Sequence, residues 1–208
     1  MPSKPVILML GCEKYRHSLV TALKRFESPV WELVGCIGRP TASEPEFVEA
    51  ERILYLPVPD TYEALPTKVH AAFVWIRQQW PDAPGIFKTD DDIFIKNLSD
   101  LENAIPANAA KPFWGFVPSK TTAKHIEVHR VMTRFHDKAL RPTHQTAQYC
   151  YGHGYWVSSA ALPHLCAAGA EYAKSFGLED VCTGYVLNTH GITPEKVAVE
   201  YKEMPRTQ

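Results

Sequence analysis

Apolar positions along the first half of the chain fall into two alternating rhythms. Val6–Leu10 is an unbroken apolar run closed by Gly11, the pattern of a parallel strand covered on both faces. Tyr15–Phe26 then places Leu19, Val20, Leu23 and Phe26 at helical spacing. Val30–Ile37 and Ile53–Val58 read as two more strands, and the acidic stretch Thr41–Glu51 between them reads as loop plus a short helix. Leu65–Trp80 sets Val69, Ala72, Phe73, Ile76 and Trp80 on one helical face, and "WPDAPG" turns the chain into a fourth strand, Ile86–Ile95. Such alternation predicts a doubly wound α/β sheet, whose ligands bind beyond the carboxyl ends of the strands.

The second half is less regular. "PFWGFV" reads as an aromatic strand, and Pro118–Thr146 as a long polar excursion carrying His125, His129, His136 and His144. Loops of that length are usually functional or mobile. "QYCYGHGYWVSS" is an aromatic strand broken by Gly152 and Gly154; Ala160–Ala173 is helical. A further helix starts near Glu179 and ends near Gly191, with Pro194 beyond it, and Val197–Tyr201 suggests a last short strand.

Composition narrows the classes. A net charge of −1 gives no electrostatic reason to expect nucleic acid or an anionic membrane. No run approaches the ~20 apolar residues of a membrane span, and "PVILMLGC" lacks the form of a signal peptide. The expectation is a cytoplasmic, soluble chain, or a lumenal domain cut from a longer anchored protein. Five cysteines without CxxC spacing argue against a disulfide framework or a structural zinc site.

One stretch stands out chemically. In "FKTDDDIFI", Asp90, Asp91 and Asp92 sit between apolar flanks at the end of the fourth strand. Adjacent carboxylates repel and stay ionised together only when a cation compensates. If extended geometry persists, Asp90 and Asp92 share a face and Asp91 points away. Two such oxygens suit Mg²⁺ or Mn²⁺ completed by a diphosphate. The bland alternative is a solvated acidic turn.

The wider frame "DTYEALPTKVHAAFVWIRQQWPDAPGIFKTDDDIFIKN", Asp60 to Asn97, resembles the β-1,3-galactosyltransferase and Fringe-like family of GT-A glycosyltransferases. Asp60, Lys68, Lys88 and the three aspartates fall in the family's frame without a gap. "YCYGHGYWVS" resembles its Y-C-S-G-x-G-Y-V-x-S block, and "LEDVCTGYVLNTHGITP" its E-D-V block, in the same order. The resemblance implies one GT-A domain over residues 1–208, a Rossmann-like mixed central sheet flanked by helices. Residues 1–100 would form the nucleotide-binding half and 101–208 the acceptor and catalytic half. It implies a Mn²⁺- or Mg²⁺-dependent hexosyltransferase moving a sugar from a UDP-sugar to a hydroxyl of a glycan or glycoconjugate.

Carried over by position, Asp92 is the main metal ligand, Asp90 reaches metal-bound water or nucleotide, and Asp91 contacts ribose or donor sugar. Asp180, beside Glu179 at a helix start, matches the family's base for inverting displacement. A carboxylate there is also stabilised by free amides, so a plain N-terminal pair is the alternative. Lys88, Arg16, Asp60 and Lys68 are candidates for the donor side, and Gly152, His153, Gly154 and Tyr155 for donor sugar and acceptor. Arg16 reads equally as a surface arginine on the first helix. His153 stands where the family has a small residue; it narrows the pocket, contacts a sugar, or faces solvent on a bulge. The family's histidine ligand beyond the E-D-V helix has no clear counterpart; His190, water or a residue beyond Gln208 would complete the shell.

Three other readings compete. One is a non-catalytic carbohydrate or nucleotide-sugar-binding domain of the same shape, which does not need the Asp180 base. Another is a retaining transferase on the same fold. The third is a metal-dependent nucleotidyltransferase or phosphatase; the expected glycine-rich loop or nucleophilic Asp-x-Asp is missing near Gly11.

Overall fold

The structure is a computed structural model that describes residues 3–117, 147–175 and 177–206. The predicted Pro118–Thr146 excursion and its four histidines lie outside the described residues. Strands β1 (Val6–Leu10), β2 (Glu32–Gly38), β3 (Glu46–Val48), β4 (Ile53–Leu56) and β5 (Gly85–Asp90) come from the first half. β7 (Phe113–Gly115), β8 (Gly154–Ser158) and β9 (Glu195–Lys196) come from the second. All eight join one sheet in the order β3-β4-β2-β1-β5-β8-β7-β9, so both halves of the chain share it. A separate two-stranded ribbon pairs β6 (Ile93–Ile95) antiparallel with β10 (Tyr201–Glu203).

The sheet is mixed. β4, β2, β1 and β5 run parallel, while β3, at one edge, and β8 run antiparallel to their neighbours. β1 is buried on both faces because alternate residues enter two different apolar layers. Val6, Leu8 and Leu10 meet Val69, Phe73 and Ile76 of α2 (Leu65–Gln79). Ile7 and Met9 meet Leu19 and Leu23 of α1 (Arg16–Arg25), with Leu101 and Ile105 of α3 (Leu98–Asn108) in the same layer. The rest of the α2 layer comes from α4 (Leu162–Ala167), α5 (Gly169–Lys174) and α6 (Glu179–Thr189).

Four sequence expectations change. Thr41–Glu51 contains an edge strand rather than a helix: Phe47 of β3 lies on Trp75, with ring centroids 5.3 Å apart. Ile86–Ile95 is two strands, because the chain turns at Asp91–Asp92 and β6 leaves for the small ribbon. Ala160–Ala173 is two short helices meeting at Ala168. The last short strand is displaced: Val197–Glu200 is irregular, with Val197 donating to the Gly115 carbonyl and Glu200 accepting from the Lys96 amide, and strand pairing begins only at Tyr201, in β10.

Gly184 sets how closely α6 approaches the segment that leads into Gly152. A Cβ there would lie 2.4 Å from the Gln148 carbonyl oxygen and 2.6 Å from the Tyr149 Cβ. Backbone cannot yield to that overlap as a side chain can. Gly184→Ala is expected to lower stability by about 1–3 kcal/mol, measured as a shift in urea midpoint at unchanged slope. A shift equivalent to under about 0.5 kcal/mol would show that the two segments separate freely.

Candidate active site

The carboxyl ends of β1, β2 and β5 open on one side of the sheet. At the β1–β2 end, Lys68 Nζ donates to Asp60 Oδ1 (2.6 Å) and to the Gly11 carbonyl (2.9 Å). Asp60 also accepts from the amides of Gly38 (3.0 Å) and Glu13 (2.7 Å). Asp60 and Lys68 therefore tie two strand ends to the Glu13 turn that leads into α1. Arg16 turns aside, pairing with Glu51 and donating Nε to the Tyr55 hydroxyl at 3.2 Å.

At the β5 end, Lys88 and Asp90 are alternate strand residues on one face. Lys88 is 1% exposed and enclosed by acceptors: Asp90 Oδ1 at 2.8 Å, the Gly152 carbonyl at 2.9 Å, and Glu179 Oε1. Burial pulls the ammonium down, yet Asp90 and Glu179 together hold it above the usual lysine range. Glu179, 5% exposed, also accepts from the Tyr155 hydroxyl at 2.8 Å. Burial pushes its carboxyl up to about 7 against the pull of Lys88. Tyr155 is wholly buried and braces Glu179 from the core.

Gly152 passes directly over this pair. A Cβ at Gly152 would lie 3.0 Å from Glu179 Oε1 and 3.3 Å from Lys88 Nζ. Its amide donates to Asp180 Oδ2 at 2.9 Å, while Asp180 Oδ1 accepts from the Val181 amide at 2.8 Å. Burial raises the Asp180 carboxyl, and these backbone amides with Lys88 oppose the rise. Glu179 is thus the inward brace and Asp180 the partly exposed partner. Thr89 holds the turn from below by donating Oγ1 to the His153 carbonyl at 2.8 Å. His153 Nε2 lies 2.9 Å from Glu203, and its ring packs against Tyr201 at 4.8 Å.

Asp91 and Asp92 occupy the turn after β5, so extended geometry does not persist through the triplet. Asp91 is buried: it accepts from Arg206 Nε at 2.7 Å, and its Oδ2 has no hydrogen-bond partner among the described residues. Burial pushes its carboxyl up to about 6, with Arg206 opposing. Asp92 is raised by burial and then by Asp90, and Arg206 Nη2 stands 3.2 Å from its Oδ2. Asp90 and Asp92 keep a quarter of their side-chain surface exposed (26% each). Sequence reasoning missed Arg206, which no motif marks.

His190 is not brought to the aspartates. It follows the last turn of α6, about 16 Å along the helix from Glu179, and stacks on His164 with ring centroids 4.0 Å apart. Among the described residues, no three His, Cys, Asp or Glu side chains converge as a metal cage. The donors present still fit a hard cation. Asp90 and Asp92 offer two oxygens, Asp91 carries an orphaned one, and five carboxylates here (Asp90, Asp91, Asp92, Glu179, Asp180) face two cations, Lys88 and Arg206. Mg²⁺-type ions are commonly held by one or two carboxylates, with phosphate and water supplying the rest. The five cysteines are free thiols, and among the described residues no helix is long and apolar enough to cross a membrane.

Comparison with known proteins agrees with the motif frame. A family model described as Galactosyltransferase matches residues 42–198. Beta-1,3-galactosyltransferase 6 of Mus musculus is 31% identical over 147 residues, covering 69% of this chain and 43% of that protein. UDP-GalNAc:beta-1,3-N-acetylgalactosaminyltransferase 1 of Mus spicilegus is 29% identical over 133 residues, covering 62% of this chain and 38% of that protein. The chain spans less than half the length of these relatives. Among solved structures, mouse xyloside xylosyltransferase 1 in its apo form aligns with TM-score 0.47 and 12% identity over 94% of this chain and 85% of its own, a likeness that carries no argument.

Proposed function

Because the chain belongs to the galactosyltransferase family, we propose that it transfers a sugar from a UDP-sugar to a hydroxyl of a glycan or glycoconjugate, with inversion at the anomeric carbon. The observation that carries this reading is the convergence, through Lys88 and Gly152, of the β5 acidic turn with the Asp180 carboxylate. A nucleotide-diphosphate sugar has a charged end and a reacting end, and this arrangement offers a partner for each. Residues 1–100 would hold the nucleotide, and residues 101–208 the acceptor and the base.

Asp90 and Asp92 are the residues that would hold Mn²⁺ or Mg²⁺. When bound, the ion supplies Lewis-acid neutralisation of the departing diphosphate. Asp180 receives the proton of the acceptor hydroxyl as its oxygen attacks the anomeric carbon, opposite the leaving group. The Gly152 and Val181 amides fix that carboxylate's two oxygens, and burial raises its basicity above that of a free carboxylate. Glu179 does not share this task; with Tyr155 it holds Lys88 under the Gly152 turn.

The test is UDP release from a panel of UDP-sugars, with Mn²⁺ present or chelated, and product stereochemistry for any active donor. Release that requires the ion and yields an inverted product is expected. Absence of release with every donor, together with absence of metal-dependent UDP binding, would falsify the transferase reading; a retained configuration would remove Asp180 from the base role.

A further inference from the structure

The acidic turn has a cation that reaches it from far along the sequence. β10 pairs with β6, and the Met204 amide donates to the Asp92 carbonyl at 2.7 Å. This delivers Arg206 to Asp91, 115 residues away, and to its neighbour Asp92. Nε donates to Asp91 Oδ1 at 2.7 Å and Nη2 stands 3.2 Å from Asp92 Oδ2. The two contacts differ in kind. The Asp91 side chain is fully enclosed, whereas Asp92 is at the opening, and a third of the Arg206 side chain is exposed there. A guanidinium carries five donors in a planar fork, and only two of its nitrogens are engaged with these carboxylates.

We propose that Arg206 is a donor-site residue: it stays anchored on Asp91 through Nε and exchanges Asp92 for the diphosphate of the nucleotide-sugar when Asp92 takes up a divalent cation. The inference rests on the function proposed above. Its physical basis is charge matching. An ion held by Asp92 meets the guanidinium at the same carboxylate, and the two positive charges repel. The arriving diphosphate presents oxygens that match the fork and accept its charge-assisted hydrogen bonds. Asp92 and the free arm of the guanidinium each change partner, Asp91 keeps its own, and none is left without one. The buried Asp91 Oδ2, without a hydrogen-bond partner among the described residues, gives the guanidinium a second oxygen to pivot towards during the exchange.

The experiment measures Mn²⁺ affinity without nucleotide, and UDP affinity at saturating Mn²⁺, by calorimetry on the whole chain, Arg206→Gln and Arg206→Lys. Arg206→Gln is expected to bind Mn²⁺ alone several-fold more tightly, since no resident cation must leave Asp92. It is expected to bind UDP roughly tenfold or more weakly, the loss of a charged hydrogen-bonding group. Arg206→Lys keeps the charge without the fork and should fall between on both measures. Parallel weakening of Mn²⁺ and UDP binding in Arg206→Gln would mean that Arg206 only shapes the turn, and equality with the unaltered chain would mean that it has no part in binding; either overturns the assignment. If the unaltered chain binds neither Mn²⁺ nor UDP, the transferase reading falls as well, so the two failures are distinguishable.

Discussion

Asp180→Asn is expected to lower sugar transfer by roughly 10²–10⁴-fold, the usual contribution of a positioned general base, while UDP affinity in Mn²⁺ changes by less than about threefold. The separation follows from where the groups sit. Asp90 ends β5, Asp92 sits in the turn after it and Arg206 lies against that turn, whereas Asp180 is at the start of α6 and, among the described residues, is linked to them through Gly152 and Lys88. The substitution has a predictable structural cost. Asp180 uses one oxygen for the Gly152 amide and the other for the Val181 amide. Asn has one acceptor oxygen, so one amide loses its partner, at about 1–3 kcal/mol. Single-turnover transfer, UDP titration and a melting curve on the same preparation separate these effects. Activity within tenfold of the unaltered chain would place the base elsewhere; loss of UDP binding in parallel with activity would mean that the Gly152 turn had collapsed.

How much of this could be read from the sequence depends on how local each cause is. β1 and α2 were legible because their apolar rhythm is set by two faces that are both covered, and the rhythm needs no knowledge of partners. β3 was not legible, because an edge strand of three residues leaves only the Phe47 contact with Trp75 and Trp80 to mark it. The turn inside Ile86–Ile95 was hidden for another reason: Ile93–Ile95 does form a strand, but with a partner, β10, that local pattern cannot name. The mixed sheet itself follows the motif frame, since β8, which carries the "GYW" of the second block, inserts beside β5.

The site shows the same division. Alternation along the strand marked Asp90 and Asp92, the family resemblance marked Asp180, and the structure links Asp90 to Asp180 through Lys88 and Gly152. Spacing did not reveal that Tyr155 points inward to Glu179, that Asp91 is buried, or that Arg206 meets it across 115 residues. Nor did it reveal that His190 turns to His164: a residue just past a helix end has no periodicity to fix its direction. Long-range pairings of charge are what a single sequence hides, and here they decide which carboxylates remain open to a ligand.

Lys88→Met is the second large effect expected, on stability. Lys88 is the only cation within contact of Glu179 among the described ion pairs, and Glu179 is 5% exposed. Removing one member of a buried pair typically costs about 3–5 kcal/mol, because the other charge is left without compensation. Methionine conserves the bulk of the lysine stem, so the cost is electrostatic and not a cavity. Glu179 then has an escape: it takes up a proton. Its folded-state value, already raised from 4.5 to about 7, rises further once Lys88 no longer opposes burial. A carboxyl raised above its unfolded value contributes stability below that unfolded value and loses it as pH climbs through the folded one. The deficit of Lys88→Met relative to the unaltered chain is therefore expected to be small near pH 5 and largest above pH 8, read as urea unfolding free energy across that range. Adding Glu179→Gln should recover much of the loss at high pH, since a neutral amide in that place needs no cation and can still accept from Tyr155. A deficit that is the same at pH 5 and pH 8, or a double variant no better than Lys88→Met alone, would mean that Lys88 supports the fold through the Gly152 carbonyl and Asp90 instead of by neutralising Glu179.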